Sequence, residues 1–289
     1  MSEPIFSREY LKRRSFIELS ARDRAKCLFD SQTGRELAGP FDRIESPWLP
    51  LQNIVPQADD GCVVMKGIIG GQQAVVIAIA GAFQGGSIGE VSGAKFSSAL
   101  DLACLDNEKG VRTNAVLLLE TGGVRLQEAN LGLAAVAEII SSIISLRKFA
   151  PVISVTAGTV GCFGGMALAA GVSSYVVMTR EARLGLNGPE VIEQESGLEE
   201  FDASDRSLVW SITGGRQRYN QGLADVLVDD DAEQIAQTVR HFIARGIPTV
   251  HRSEQVDRYR SRVAALDTSR QWSPEELYAW ANHKRKEQP

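Results

Sequence analysis

The sequence predicts an α/β fold in which strands alternate with helices and the connecting loops gather at one end of a sheet. Three observations carry this. Aromatic residues make up only 7% of the chain while glycine occurs 27 times, so the core must come from Ala, Val, Ile and Leu and be broken by many tight turns. That composition suits helices packed on a sheet better than an all-β sandwich. A unit of apolar strand, glycine turn and helix occurs after residues 80, 119 and 156, and such units lay helices over a sheet with their turns at one edge. With 289 residues, 44% of them hydrophobic, the chain can bury a sizeable core.

Residues 1–40 read as an arm. Ser20 is placed to cap a helix over 21–29, in which Ala21, Ala25, Leu28 and Phe29 recur at roughly helical spacing. Residues 33–40 break it, and 41–56, with three prolines and Trp48, form an irregular connection. The core opens at Cys62. Residues 62–69 and 74–80 are strand-like, and Gly70 and Gly71 between them suit a tight hairpin. A glycine-rich loop follows at 81–89. Residues 93–105 have helical apolar spacing, 115–119 are a short buried strand, and 127–146 a long helix. Residues 151–156 form the next strand, 166–170 open a helix, 175–179 are a strand and 184–189 an extended turn segment. From Asp231 onward the chain is charged and helical, with a solvated tail over 282–289. The expected division is a helical arm and connection (1–56), a core (57–230) and a helical extension (231–289).

Several functions are disfavoured. A net charge of −5 argues against nonspecific nucleic-acid binding. The apolar stretches near 74–82 and 131–146 are too short or interrupted to span a membrane. Residues 1–30 are charged and do not read as a signal peptide. Cys27, Cys62, Cys104 and Cys162 are too scattered for a CxxC motif and read as reduced thiols of a cytoplasmic protein. His241, His251 and His283 lie in the last quarter, away from the glycine loops, so neither a Ser–His–Asp triad nor a histidine metal site is expected. Gly85-Gly86-Ser87-Ile88-Gly89 spells GxSxG, but nothing near it can serve Ser87 as a base.

What remains is glycine between a strand and a helix. Thr121-Gly122-Gly123-Val124-Arg125 is one case and Gly161-Cys162-Phe163-Gly164-Gly165 the other. Backbone N–H groups at such points are free, and glycine lets a ligand approach them. One such pair commonly only makes a turn. Two in equivalent topological positions point to an oxyanion hole, where losing one donor costs about 3–4 kcal/mol of transition-state stabilisation.

At these residues the chain resembles a known family. LLETGGVRLQEAN (118–130), AFQGGSIGEVSGAKFSSALDLA (82–103) and PVISVTAGTVGCFGGMALAAGVSSYVVMTREARLGLNGPEVI (151–192) resemble, in order and spacing, three segments of the biotin-dependent carboxyltransferases. RQRYNQGLADVLVDD (216–230) resembles the helix and strand that close that domain. The resemblance implies a crotonase-like ββα spiral and a thioester enolate held by backbone N–H groups. Together with the N-terminal helix, WLPLQNIVPQADDGCVVMKGIIGGQQ (48–73) is most similar to the β subunits of biotin-independent malonate decarboxylases.

That branch implies a carboxy-lyase acting on a malonyl group, with a γ subunit of related fold as partner. An acyl-carrier subunit would deliver the substrate on a CoA-like prosthetic arm, and no cofactor or metal would be bound directly. The enolate would sit on N–H groups of Gly122, Gly123, Val124, Gly164 and Gly165. Arg125 is placed to bind the departing carboxylate or to pair with Glu128 on the surface. Gln84, Gly86, Ser87, Phe163 and Glu190 would line the pocket, and Arg112, Arg147 and Lys148 are candidates to meet an acidic carrier. The zinc ribbon of bacterial acetyl-CoA carboxylase β chains is absent, since only Cys27 and Cys62 precede the core. Crotonase-type hydratases use two glutamates. Glu190 matches one, but Met166-Ala167 stands where the other would be. Two other readings stay open: the β half of a biotin-dependent acyl-CoA carboxyltransferase, and a noncatalytic scaffold for the γ subunit.

Overall fold

The computed structural model describes residues 13–270 and 272–286. Residues 1–12 of the arm and 287–289 of the tail lie outside the described residues. One sheet holds seven strands in chain order: β1 (Arg35–Leu37), β2 (Cys62–Ile69), β3 (Gln72–Ile79), β4 (Thr113–Leu118), β5 (Val152–Thr156), β6 (Tyr175–Thr179) and β7 (Val226–Val228). β1, β2 and β3 pair antiparallel, and β3 to β7 pair parallel. The switch follows from the connections. Gly70 and Gly71 have φ of 58° and 76°, the two left-handed residues of a two-residue hairpin. Both N–H groups donate to the Asp30 carboxylate, at 3.0 and 2.9 Å. The parallel pairs instead need crossovers, which helices supply.

Two helical layers cover the sheet. α2 (Glu90–Glu108), α3 (Asn130–Leu146) and α4 (Gly165–Val172) pack on one face, and α1 (Ala21–Leu28) and α8 (Ala232–Arg245) on the other. β4 shows the division. Ala115 and Leu117 point into the cluster with Phe96, Leu100, Ile139 and Met166, whereas Val116 and Leu118 point into the cluster with Leu28, Ile235 and Val239. A strand covered on both faces reads as an unbroken apolar run, which is why the central strands are legible.

The expected arm belongs to this architecture. Ser20 accepts from Asp23 N–H at 3.1 Å and caps α1, which packs against α8 and β3. The break expected at 33–40 contains β1, which adds an edge to β2. The long helix expected from residue 127 starts at Asn130 instead. A tight turn over Leu126–Glu128 precedes it, and Ala129 sits at φ 49° and ψ −126°. A residue with a Cβ is strained there. Between β6 and β7 the chain forms α5 (Pro189–Ser196), α6 (Arg206–Thr213) and α7 (Gly215–Asn220), and beyond α8 lie α9 (Val256–Ala264) and α10 (Pro274–Lys286). No helix among the described residues is long and apolar enough to cross a membrane.

Candidate active site

The loops after β3, β4, β5 and β6 meet at the carboxyl ends of these parallel strands, where α/β sheets place their ligands. Short bridges join them: Ile88 to Val124, Thr121 to Cys162, and Cys162 to Leu184. Thr121 N–H donates to Gly161 O at 2.8 Å, Phe163 N–H to Thr121 O at 3.0 Å and Cys162 N–H to Arg183 O at 2.9 Å. Gly123 and Gly164 therefore stand face to face. A Cβ on either would lie 3.2 Å from the Cα of the other.

Accounting for each amide narrows the expected set. Gly122 N–H donates to Gly85 O at 2.9 Å, Gly123 N–H to Thr121 Oγ1 at 3.0 Å and Gly164 N–H to Leu186 O at 2.8 Å. These three are occupied by the protein itself. Of the five amides, those of Val124 and Gly165 have no acceptor among the described residues. Each follows a glycine of positive φ, 109° at Gly123 and 61° at Gly164. The ψ angle of a residue orients the N–H of the next, so these two glycines aim the two open amides. Gly164, with ψ −146°, is also the N-cap of α4, whose first N–H groups have no partner within the helix. Its combination of φ and ψ is essentially restricted to glycine.

Arg125 forms the expected pair with Glu128, but in the interior rather than on the surface. It is wholly buried, and its guanidinium is held at 2.7 Å from Asp60 Oδ1 and 3.1 Å from Glu128 Oε1, both also buried. It further donates to the Ser87 carbonyl at 3.0 Å. The pair with Glu128 is thus an interior one. Glu128 in turn accepts from Ser46 Oγ at 2.6 Å and from the Glu90 N–H, while Asp60 accepts from the Ser92 N–H at 2.8 Å. Both carboxylates sit on the amino end of α2, where a helix favours negative charge. Gly89 makes room, since a Cβ there would lie 2.2 Å from Glu128 Oε2.

The other predicted residues line or brace the loops. Gln84 is half-buried with φ 49°, and a Cβ on Gly86 would lie 2.0 Å from Glu120 O. Ser87 Oγ donates to Gln84 O at 2.7 Å, which commits the hydroxyl to its own turn. Phe163 is buried; its carbonyl abuts Gly123 and its ring lies under Arg183. Glu190 is exposed in the first turn of α5. Arg112, Arg147 and Lys148 precede β4 and β5, at the opposite end of the sheet, and Arg147 is bound to Val172 O and Ser253 Oγ at 2.6 and 2.8 Å. Glu120 and Arg24, which sequence reasoning missed, form a nearly buried ion pair tying α1 to the end of β4. Gly81 and Gly158 lack the Cβ atoms that would strike the Glu120 side chain. Only the spacing of glycines around Glu120 could have signalled it.

Cys162 lies inside the second glycine turn, yet burial pushes its thiol up strongly. Burial likewise pushes Cys62 up, to about 12, against the opposing pull of Lys95. Neither thiol is poised as a thiolate nucleophile. Iodoacetamide at neutral pH is expected to leave Cys62 and Cys162 unmodified by peptide mass spectrometry, with activity retained. Modification of Cys162 in step with inactivation would restore a thiol to the chemistry. Among the described residues, no group of three or more His, Cys, Asp or Glu could hold a metal ion.

Open amides at the junction of two glycine turns, on the carboxyl edge of a parallel sheet, accompany an α/β fold of the crotonase-like type. The chain belongs to the carboxyl transferase domain family, which matches residues 18–277. It is 40% identical over 286 residues to malonyl-S-ACP:biotin-protein carboxyltransferase MADC of Malonomonas rubra, covering 94% of this chain and 90% of that protein. A chain of a Pseudomonas malonate decarboxylase hetero-tetramer in complex with malonate superposes with a TM-score of 0.91 at 55% identity, covering 94% of this chain and 99% of that one. A chain of a Pseudomonas malonate decarboxylase MdcD–MdcE hetero-dimer gives 0.75 at 49% identity, over 89% and 100% of the respective chains.

Proposed function

We propose that the chain is the β subunit of a malonyl-thioester decarboxylase, converting a malonyl-S-acyl-carrier protein to the acetyl-S form. The observation that carries this is the pair of open amides, Val124 and Gly165, beside the contact of Gly123 and Gly164. Cleavage of the bond between the carboxylate and the α-carbon releases carbon dioxide. Its electron pair passes into the thioester, which becomes an enolate with charge on oxygen. Donors fixed in place beforehand stabilise that oxygen without reorganising. A proton then adds to the α-carbon and gives the acetyl thioester. A CoA-like prosthetic arm on an acyl-carrier subunit presents the malonyl group.

A γ subunit of related fold completes the pocket. Leu51, Val55 and Leu126 are 76%, 84% and 84% exposed beside the loops, and Gln52 bonds the Gln127 carbonyl, so the segments are contiguous. An apolar surface of this kind is suited to a permanent partner. The Malonomonas relative favours one other reading, transfer of the carboxyl group to a biotin-bearing protein. Assay of the isolated chain and of the assembly with its partner, on a malonyl thioester with and without a biotinylated acceptor, decides. We expect carbon dioxide from the assembly alone, without acceptor. Turnover that requires the biotinylated acceptor selects the second reading, and activity of the isolated chain refutes the need for a partner.

A further inference from the structure

Beside the second glycine turn lies a cavity of about 880 Å3 lined by Thr159, Arg183, Arg206, Ser207 and Trp210 among others. Arg183 is held rigidly at its wall. Its guanidinium lies 5.4 Å from the Phe163 ring centroid and 4.6 Å from that of Trp210, and Trp210 is itself fixed by an indole N–H bond to Glu181 O at 2.9 Å. Nη2 donates to Thr159 O at 2.5 Å and Val160 O at 3.3 Å. Nε is buried without a partner, and no acceptor among the described residues meets Nη1. Burial lowers the pKa of Arg183, with Glu190 opposing and Arg206 adding to that effect. A planar guanidinium between aromatic faces, with donors to spare, is preorganised for an oxyanion.

We propose that this cavity is a phosphate subsite, in which Arg183 and Arg206 hold the phosphate of the arm that carries the malonyl thioester. This rests on the reading of the chain as a malonyl-thioester enzyme. The malonyl carboxylate is a poorer fit. It lies one carbon from the thioester carbonyl, whereas the Arg183 guanidinium is turned onto the Phe163 ring, 5.4 Å from its centroid. The hydroxyls of Thr159 and Ser207 add donors suited to the several oxygens of a phosphate. The same chemistry would take a phosphate of free CoA or of a carrier-bound arm.

The test is calorimetric binding of pantetheine and of 4′-phosphopantetheine to the protein assembled with its partner chain. The phosphate is expected to tighten Kd by about 10- to 100-fold, the range of one or two charge-assisted hydrogen bonds. Arg183→Gln should reduce that increment to about threefold or less, and Arg206→Gln should reduce it in part. Arg206 is exposed, so its variant keeps the test sound if Arg183→Gln disturbs the turn. Equal Kd values for the two probes in the native assembly overturn the subsite, as does an increment untouched by both variants. Turnover of malonyl-pantetheine, measured in parallel, tests the proposed function separately. Comparing malonyl-CoA with the malonyl carrier protein in the Arg206→Gln variant then shows which source of phosphate the subsite reads.

Discussion

Gly164→Ala is expected to slow malonyl-thioester turnover by about 100- to 1000-fold, the effect of losing one oxyanion donor. The loss should come through geometry. Gly164 holds φ 61° and ψ −146°, and that ψ orients the amide of Gly165. Alanine in this region carries about 1–3 kcal/mol of strain, which the backbone relieves by rotating the peptide and turning the N–H away. Its Cβ would also lie 3.2 Å from the Gly123 Cα, closer than an ordinary contact. Gly123→Ala should act in the same way on the amide of Val124, and valine at either position should be worse. Because the ground-state carbonyl carries less charge than the enolate, KM should change less than kcat. Strain alone would lower the melting temperature by about 2–4 °C per kcal/mol in a chain of this size. Gly71→Ala is the control. Gly71 also has positive φ, at 76°, but a Cβ there meets nothing within 4 Å and it lies at the hairpin tip. It should lose stability without losing rate. If Gly164→Ala and Gly123→Ala melt like the Gly71 control and turn over normally, the two glycines only make turns.

The glycine turns were legible because their signal is local. A strand that ends in glycine before a helix exposes amides whatever the rest of the chain does. The same holds for β2 and β6, found at the expected bounds, since an apolar run bounded by turn residues needs no distant partner. The start of α2 was legible only from afar. Its first amides are capped by Glu128 and Asp60, 38 and 32 residues away, so it begins at Glu90 rather than at residue 93. Which amides stay open could not be read either. Gly122 and Gly164 are satisfied by the carbonyls of Gly85 and Leu186, and only the packing of four loops decides that. Helices α5 and α6 escaped notice because they are short and carry few buried apolar residues, whereas α7 and β7 fall on 216–230, where the resemblance implied a closing helix and strand. β1 is three residues long with mixed burial, too brief for alternation to register.

Arg125→Met is expected to destabilise the protein by about 3–5 kcal/mol, because it leaves two buried carboxylates without their cation. At about 2–4 °C per kcal/mol, the melting temperature should fall by roughly 6–20 °C. Asp60 and Glu128 have no solvent access at their side chains, so water cannot replace the guanidinium without opening the loops. The amino end of α2 offsets part of their charge but cannot neutralise both. Arg125→Lys should rescue little, since an ammonium cannot reach Asp60, Glu128 and the Ser87 carbonyl as a fork does. The same residues hold the first glycine loop and the Thr121–Val124 turn against α2. Turnover should therefore fall together with stability, and it should recover in part on cooling below the melting transition. A residue that bound the departing carboxylate would behave otherwise, raising KM while melting normally. Replacing both ends of the network, as in Arg125→Met with Asp60→Asn, should be less damaging than the sum of the single changes, since the second removes a charge the first had stranded. Additive losses, or a stable Arg125→Met protein with weakened substrate binding, would return Arg125 to the substrate.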